Sequence, residues 1–458
     1  MVLHTLSPLD GRYVEATGAL RDYFSEFAYL RSRVRLEVRY LAVLASSGLA
    51  RALTAAENTS LEDFTEDDAL RIQEYEKTTR HDVKAIEYFL RERLGADLHP
   101  WIHFGLTSED VNNLAQALAL RDSRDRVLIP VLDELLRSLS DFAQAYRTAP
   151  MLARTHGQPA VPTTLGKEMA VFLSRLLKCR RRLADHRFEG KLTGAAGNLN
   201  ALQAAAPHVD WLQLSSRFVE SLGLEANPAT AQILPYDNWI VYFQTLELTN
   251  SVLIGYTQDM WRYISDGYLR QAILQGEVGS STMPQKVNPI DFENAEGNLG
   301  LANALFAHYA QKLPISRLQR DLSDSTVRRT LGEALGHTLL AWQNITAGMG
   351  RLAPDLDRMK ADLNSHWETL SEGAQSILRL AGREDAYETL KSLARGRTLT
   401  EADFRRWVDS LGADDETLAR LRALSPASYI GLAVQITDQI LKEARQVTAQ
   451  ARRSTEAA

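Results

Sequence analysis

The chain has 458 residues, of which 45% are hydrophobic and 24% are charged, with a formal net charge of −6 at pH 7. These values are typical of globular proteins and exclude disordered, collagen-like and fibrous classes. The negative charge argues against a nucleic-acid partner, and no stretch approaches the 18 consecutive apolar residues that a membrane-spanning helix needs. One cysteine and an N-terminus unlike a secretory signal lead us to expect a cytoplasmic protein.

Helical periodicity dominates the chain and predicts an all-α fold. Apolar residues that recur at intervals of three and four predict four long helices, which run from Thr107 towards Ala149, onwards from Pro162, from Trp239 to Ile264, and from Pro289 to Leu313. Thr107 and Asp110 have the spacing of a capping box, and Pro130 predicts a bend or an interruption. We find no convincing series of alternating strands and no βαβ pattern.

The long helices predict a three-domain organisation with a central bundle. Shorter helices before and after them give an N-terminal helical domain over 1–107, a central long-helix bundle over 108–350, and a C-terminal helical domain over 351–458.

Five segments interrupt the helical pattern with Gly, Pro and polar residues, and such loops on a rigid scaffold often carry function. In chain order they are residues 10–13, 79–84, 154–162, 276–289 and 320–329. Each also has an ordinary structural interpretation: a simple turn for the first, a hydrophilic helix start for the second, a capped turn for the third, a mobile surface turn for the fourth, and a solvated helix end for the fifth.

His156 is the strongest acid–base candidate among these segments. It lies in a Gly/Pro turn that we place just ahead of a helix N-terminus, where the helix dipole would favour neutral imidazole and tune its pKa towards the working pH. Segment 320–329 places hydroxyls beside guanidiniums, which suits a phosphate or a carboxylate. We expect no metal or redox cofactor, because His99 and His103 lack an adjacent third ligand.

The segment Gly279-Ser280-Ser281-Thr282-Met283-Pro284-Gln285-Lys286-Val287-Asn288-Pro289 closely resembles the signature of the fumarase/aspartase superfamily. Members of that superfamily share an all-α, three-domain fold, associate into tetramers and release fumarate by β-elimination. Residues 10–13, 79–84, 155–159 and 290–294 resemble the bacterial-type adenylosuccinate lyase family within it. Gln285 departs from this pattern, because close relatives are expected to carry His there.

The resemblance implies cleavage of adenylosuccinate to AMP and fumarate, and the same elimination from succinylated aminoimidazole-carboxamide ribotide, an earlier intermediate of purine biosynthesis. It implies that Ser280 is the base, with Ser281 as an alternative, and that His156 is the acid. It also implies nucleotide substrates, no cofactor, and a homotetramer whose active sites are each assembled from three subunits.

The resemblance also implies a set of substrate-binding residues. They are Lys286 and Asn288, assisted by Thr107 and Ser108, for the succinyl carboxylates; Asn294 and Gln232 at further binding positions; Arg12, Tyr13, Arg320, Ser325, Thr326, Val327, Arg328 and Arg329 for phosphate and ribose; and His81 and Asp82 for the ring-side pocket. Arg80, Ser281 and Val287 are further substrate-binding residues, not assigned to one part of the substrate.

Three other functions remain as alternatives. A sister lyase such as argininosuccinate lyase or fumarase has a substrate without phosphate, which the segments at 12–13 and 325–329 disfavour. A catalytically silent structural protein of this superfamily would not need Ser280, Lys286 and His156 intact. A helical nucleic-acid binder is poorly supported by the charge.

Overall fold

The computed structural model describes residues 4–273, 276, 279 and 281–456, with side chains described as far as residue 447 in the last helix. Helices dominate these residues, so the all-α fold class is confirmed. The helices are α1 (Val14–Thr17), α2 (Arg21–Phe24), α3 (Glu26–Ser46), α4 (Ala55–Glu62), α5 (Glu66–Thr79), α6 (Asp82–Arg93), α7 (Ser108–Ser123), α8 (Ile129–Ala145), α9 (Leu165–Asp185), α10 (Asn200–Ala205), α11 (Trp211–Ser221), α12 (Asp237–Ser265), α13 (Ile290–Lys312), α14 (Ser323–Arg328), α15 (Leu331–Met349), α16 (Leu356–Asn364), α17 (Ser371–Leu380), α18 (Ala386–Ala394), α19 (Glu401–Ser410), α20 (Asp415–Arg422) and α21 (Ala433–Glu456). Short 3₁₀ turns lie at Gly18–Leu20, His99–Trp101 and Trp367–Leu370.

The predicted long helices are present, with one adjustment near Pro130. Helix α7 begins with the predicted capping box, in which Thr107 pairs with Asp110. A π-helical segment, Arg124–Leu128, joins α7 to α8 just before the proline. A proline ring clashes with the carbonyl four residues earlier, and the wider π turn accommodates that clash. Helix α8 ends at Ala145, earlier than predicted, because the chain turns into a strand at Pro150.

Short strands also occur, although the sequence pattern predicted none. They are β1 (Pro150–Thr155) with β2 (Gln158–Thr164), antiparallel; β3 (Glu189–Gly190) with β4 (Glu225–Ala226), parallel; and β5 (Leu269–Gln271) with β6 (Leu352–Pro354), antiparallel. Each is part of a two-stranded pair, so both strands are edges and tolerate proline. Strands β3 to β6 have only two or three residues each, too few for periodicity to reveal them, whereas prolines obscured the pattern of β1 and β2.

Two compact units make up the chain, and each is drawn from three stretches. The first unit comprises residues 1–131, 179–251 and 297–341, and the second comprises 132–178, 252–296 and 342–458. Residues 1–107 therefore lie in the first unit and 351–458 in the second, while the long helices contribute to both. The division of the sequence into three domains stays a prediction.

Each unit has its own apolar core. In the first, Val34, Ile72 and Phe89 are among the buried residues that join α3, α5 and α6. In the same unit, the rings of Phe243 on α12 and Phe306 on α13 are stacked, with their centroids 5.9 Å apart. In the second, Trp367 and Phe404 belong to a buried cluster of the C-terminal helices. Among the described residues, no helix is both long and apolar enough to cross a membrane.

Candidate active site

The predicted site residues occur in both units. Those of the first unit are Arg12, Tyr13, Arg80, His81, Asp82, Thr107, Ser108, Gln232, Arg320 and residues 325–329, and those of the second are His156, Ser281, Lys286, Val287, Asn288 and Asn294. The proposed base, Ser280, lies outside the described residues. Among the residues that are described, no group of three or more His, Cys, Asp or Glu side chains could hold a metal ion.

Arg328, at the end of α14, is the centre of a buried charge network in the first unit. Its Nη2 atom lies 2.8 and 2.9 Å from the two carboxylate oxygens of Glu109 and 2.9 Å from Oδ2 of Asp324. Its Nη1 atom donates to the side-chain oxygen of Gln116. Only 3% of Arg328 is exposed, so the interpretation of residues 320–329 as a solvated helix end is wrong for this residue.

Two more predicted residues join this network. Nη2 of Arg320 lies 3.6 Å from Oε1 of Glu109, and its Nη1 donates to Oε1 of Gln232 at 2.9 Å. The hydroxyl of Tyr236 donates to Oδ2 of Asp324 at 3.2 Å. The fold thus brings Gln232, Arg320 and Arg328 together around one carboxylate, although they come from separate segments of the sequence.

The charges of this network are fixed by their mutual contacts. Burial by itself raises the pKa of Glu109, but Arg328 and then Arg320 outweigh it, so the pKa lies below its ordinary value. Burial raises the pKa of Tyr236 well above its usual range, so its hydroxyl stays protonated and acts as a donor. Two carboxylates therefore balance two guanidiniums with the water largely excluded.

We expect Glu109→Gln to lower the free energy of unfolding by about 3 kcal/mol, because it leaves the buried Arg328 only one carboxylate. Urea denaturation at pH 7 measures this loss. The pKa of Glu109 is lowered from 4.5 in the folded protein. The stability that ionised Glu109 contributes is therefore complete above pH 4.5 and is lost as the pH falls through the folded-state pKa. Glu74→Gln is the matched control, because Glu74 pairs with Arg71 at the exposed surface. Equal losses in both variants would contradict this prediction.

Asp82 belongs to a second ion pair in the first unit. It accepts from Nη1 of the fully buried Arg33 at 2.9 Å, and the Arg33 guanidinium lies 3.5 Å from the centre of the Tyr29 ring. Burial raises the pKa of Tyr29, and both Arg33 and Arg328 act against that rise. Because both cations act on the same ring, the Asp82 pair lies near the Arg328 network.

Segment 79–84 joins two helices: residues 79–80 end α5, and residues 81–84 begin α6, the helix start that its structural interpretation predicted. His81 is the N-cap residue, and its Nδ1 accepts from the amide of Lys84 at 3.1 Å. Arg80 is exposed and adopts a left-handed conformation, with φ of 51°, at the end of α5. The side chains of Arg80 and His81 are both exposed and therefore accessible to a ligand.

Thr107 and Ser108 lie at the start of α7, which a buried ion pair holds in place. The amide of Thr107 donates to Oδ2 of Asp110 at 2.9 Å, while Oδ1 of Asp110 accepts from Nζ of Lys191 and from the amide of Thr193, each at 2.9 Å. Asp110 and Lys191 are both buried. The helix start that presents Ser108 is therefore rigid.

Three important residues of the first unit were missed from the sequence: Glu109, Lys191 and Tyr236. Asp110 was predicted only as a capping residue and Asp324 only as part of segment 320–329, so their buried ion pairs were missed as well. One signal was available, because Glu109, Asp110, Asn112 and Asn113 place four polar side chains in the first turns of a helix that continues as a largely apolar one. Such a run inside a packed helix indicates buried polar contacts.

The remaining predicted residues of the first unit lie on its surface or on α14. Arg12 is exposed in the turn before α1, next to the half-buried Tyr13. Arg329 is also exposed, with Nη1 3.6 Å from Oε2 of Glu26. Ser325, Thr326 and Val327 lie on α14 between Asp324 and Arg328.

His156 lies at the tip of the β1–β2 hairpin in the second unit. His156 and Gly157 form its two-residue turn, with φ of 53° and 74°, and Thr155 pairs with Gln158 across it. Positive φ at both positions is the pattern of a type I′ turn, which glycine adopts freely and histidine adopts more readily than most residues. All four residues are exposed.

The predicted placement of His156 just ahead of a helix was wrong. Strand β2 follows the turn, and α9 begins only at Leu165. The prolines at 159 and 162 belong to that strand instead of introducing the helix, so the helix dipole does not act on the imidazole.

The described part of the signature segment folds back on itself. Nδ2 of Asn288 donates to the carbonyl of Gly279 at 2.7 Å, and the amide of Lys286 donates to the carbonyl of Met283 at 3.1 Å. A Cβ atom on Gly279 would lie 1.9 Å from the carbonyl oxygen of Lys286, so only glycine fits there. Ser281 and Lys286 are exposed, and Val287 is half-buried. Asn294, on α13, accepts from Nδ2 of Asn344 at 2.5 Å.

Two family profiles match this chain. The profile described as "Lyase" matches residues 11–303, and the profile described as "Adenylosuccinate lyase C-terminal" matches residues 316–430. Two solved structures share the fold: a 3-carboxy-cis,cis-muconate lactonizing enzyme from Pseudomonas putida, with a TM-score of 0.75 and 22% identity, and a fumarate lyase from Mesorhizobium sp. BNC1, with a TM-score of 0.76 and 19% identity. The match to the lactonizing enzyme covers 94% of this chain and 98% of that structure's chain. The match to the fumarate lyase covers 92% of this chain and 97% of that structure's chain.

Curated relatives are similar over almost the whole chain. The adenylosuccinate lyase of Vibrio cholerae is 46% identical over 451 residues, and that of Escherichia coli K12 is 45% identical over 450 residues. Each alignment covers 96% of this chain and 99% of the relative. The chain therefore belongs to the adenylosuccinate lyase family of the fumarase/aspartase superfamily.

Proposed function

We propose that this protein is a lyase of purine biosynthesis that cleaves adenylosuccinate into AMP and fumarate. The same site would release fumarate from succinylated aminoimidazole-carboxamide ribotide. The observation that carries this proposal is the identity of 45–46% with adenylosuccinate lyases over 99% of their length. Because the proposed reaction belongs to purine biosynthesis, we also propose that the protein is located in the cytoplasm.

The proposed reaction needs three chemical functions. A base must remove a proton from the carbon next to a carboxylate, where the resulting carbanion places extra charge on that carboxylate. Cations and amide donors must stabilise the developing charge. An acid must protonate the departing nitrogen, because an anionic amine is a poor leaving group.

We assign the first two functions to the signature segment. Ser280 is the base, and its anion requires stabilisation by backbone amides and by the charge of Lys286. Lys286 and Asn288 bind the succinyl carboxylates, with Ser281 and Val287 beside them. The contact between Gly279 and Lys286 supports this assignment, because it brings the two ends of the segment together. Thr107 and Ser108 assist with hydroxyls and helix-start amides from their rigid turn.

We assign the third function to His156. Its place at an exposed, two-residue hairpin tip supports this role, because the imidazole is accessible to a substrate. A non-glycine residue at positive φ is a feature that often marks functional sites.

The nucleotide would be bound by the first-unit residues. Arg12, Tyr13, Arg320, residues 325–327 and Arg329 are proposed for phosphate and ribose; Arg80, His81 and Asp82 for the ring; and Gln232 as a further contact, to which the second unit adds Asn294. The network around Glu109 supports this arrangement, because it holds Arg320 at a defined position. Since Arg328 is itself buried between carboxylates, its contribution is to fix α14 and its neighbours.

We further propose a homotetramer in which three subunits contribute to each active site. Large apolar residues exposed on the long helices support association: Val241 and Leu248 on α12 are 57% and 42% exposed, and Leu301 on α13 is 55% exposed. Size-exclusion chromatography with light scattering should give a single species of four chains. An active monomer would overturn the shared-site arrangement.

The reaction is tested by a spectrophotometric assay of the purified protein with adenylosuccinate, in which AMP and fumarate are identified as products. Argininosuccinate and malate are assayed in parallel. Turnover of adenylosuccinate alone supports the proposal. Turnover of another substrate would indicate a sister lyase, and a folded tetramer that turns over none would indicate a catalytically silent member of the superfamily.

A further inference from the structure

Asp362, on α16, binds the hairpin that carries His156. Its Oδ2 atom accepts from Nη2 of Arg154 at 3.0 Å and from the hydroxyl of Tyr268. Arg154 precedes His156 by two residues and is opposite Pro159 in the hairpin register. The side chain of Asp362 is only 17% exposed, so this ion pair is partly shielded from water.

The position of Arg154 in the hairpin makes this contact important. The strand register shifts between Leu152 and Arg154, which separates the hairpin into two parts. Met151 and Leu152, before the shift, are buried, whereas the four residues of the tip are exposed. The ion pair therefore holds the hairpin at the point where its packing against the core ends.

Helix α16 is itself firmly placed. Asp355 caps it by accepting from the amide of Arg358 at 3.0 Å, and the amide of Asp355 donates to the carbonyl of Tyr268 at 2.8 Å. Just after its end, Nε2 of His366 lies 3.8 Å from Oδ1 of Asp362, and Nδ1 of His366 lies 2.6 Å from Glu368. Asp362 is thus bordered on three sides by Arg154, Tyr268 and His366.

We propose that Asp362 is a positioning residue for His156, acting through Arg154 to hold the hairpin tip at the place that proton transfer to the leaving nitrogen requires. This rests on the proposed function, which makes His156 the acid. A displacement of about 1 Å in a catalytic group costs up to about 10²-fold in rate, so the anchor matters even though it touches no substrate.

The first test is independent of activity. Hydrogen exchange of the full-length protein, followed by mass spectrometry of peptides that cover residues 150–164, should be faster in Asp362→Asn than in the unsubstituted protein. Asp409→Asn is the matched control, since Asp409 on α19 pairs with Arg422 on α20 at 2.8 Å in the same unit. Unchanged exchange in folded Asp362→Asn would overturn the anchoring itself.

The second test is kinetic. Asp362→Asn and Arg154→Gln should each lower kcat for adenylosuccinate about 10-fold with KM changed less than about twofold, and their effects should not add, because they break one contact. Asp362→Glu should recover part of the loss. A general loss of structure would lower the melting temperature and raise KM, and it would not show this pattern.

Combination with His156→Ala separates this inference from the proposed function. If Asp362 acts through His156, Asp362→Asn adds no further loss in the His156→Ala background. An equal 10-fold loss in that background would overturn the positioning role while leaving the lyase activity intact. If the unsubstituted protein does not cleave adenylosuccinate, the proposed function fails, and with it the role of Asp362 in the reaction, whereas the exchange experiment still tests the anchor.

Discussion

The His156→Ala variant is expected to lower kcat for adenylosuccinate by about 10²- to 10⁴-fold, the range that a positioned general acid or base contributes. Without an acid, the nitrogen would have to leave as an anion. Substrate binding should survive, because the imidazole acts on the departing nitrogen and other residues are assigned to bind the substrate. Steady-state kinetics with adenylosuccinate and calorimetric titration with AMP measure the two effects separately.

A second histidine provides the control for this experiment. His208 is exposed in the connection between α10 and α11, so His208→Ala removes the same side chain without touching the hairpin. Its kcat should stay within about twofold of the unsubstituted protein. Normal turnover in His156→Ala would show that another group protonates the nitrogen.

Replacing Ser280 by alanine should have the largest effect, a fall in kcat at the upper end of the same range, about 10⁴-fold. The proton that Ser280 would remove is bound to carbon next to a carboxylate, and that C–H bond does not break at a useful rate without a base. Rapid-quench measurement of fumarate formed in a single turnover, with product release excluded, determines the loss in the chemical step itself.

Ser281→Ala is the matched variant, because it removes the same hydroxyl from the adjacent residue. We expect it to raise KM several-fold and to leave most of kcat, since Ser281 is assigned to binding. The opposite result, with Ser281→Ala inactive and Ser280→Ala active, would exchange the two roles. Measuring the melting temperature of both variants confirms that neither loss reflects unfolding.

Much of the fold was predictable because helices are built from local contacts. Apolar residues at intervals of three and four predicted α12 and α13. Thr107 and Asp110, which are three residues apart, predicted the capping box at the start of α7. The β1–β2 hairpin was missed because Pro159 and Pro162 of its second strand resembled the beginning of a helix. Gly157 nevertheless predicted the turn between the two strands.

The sequence by itself determined the helical architecture, the segments that interrupt it and, through their resemblance, the family. Only the tertiary structure decided which side chains meet. Glu109 and Arg328 are 219 residues apart and Arg154 and Asp362 are 208 residues apart, yet each pair is in hydrogen-bond contact. Periodicity and capping depend on neighbours within a turn or two, whereas an ion pair between distant residues depends on how whole helices and hairpins pack. For that reason, neither the buried network around Glu109 nor the contact between Arg154 and Asp362 could be predicted from the sequence.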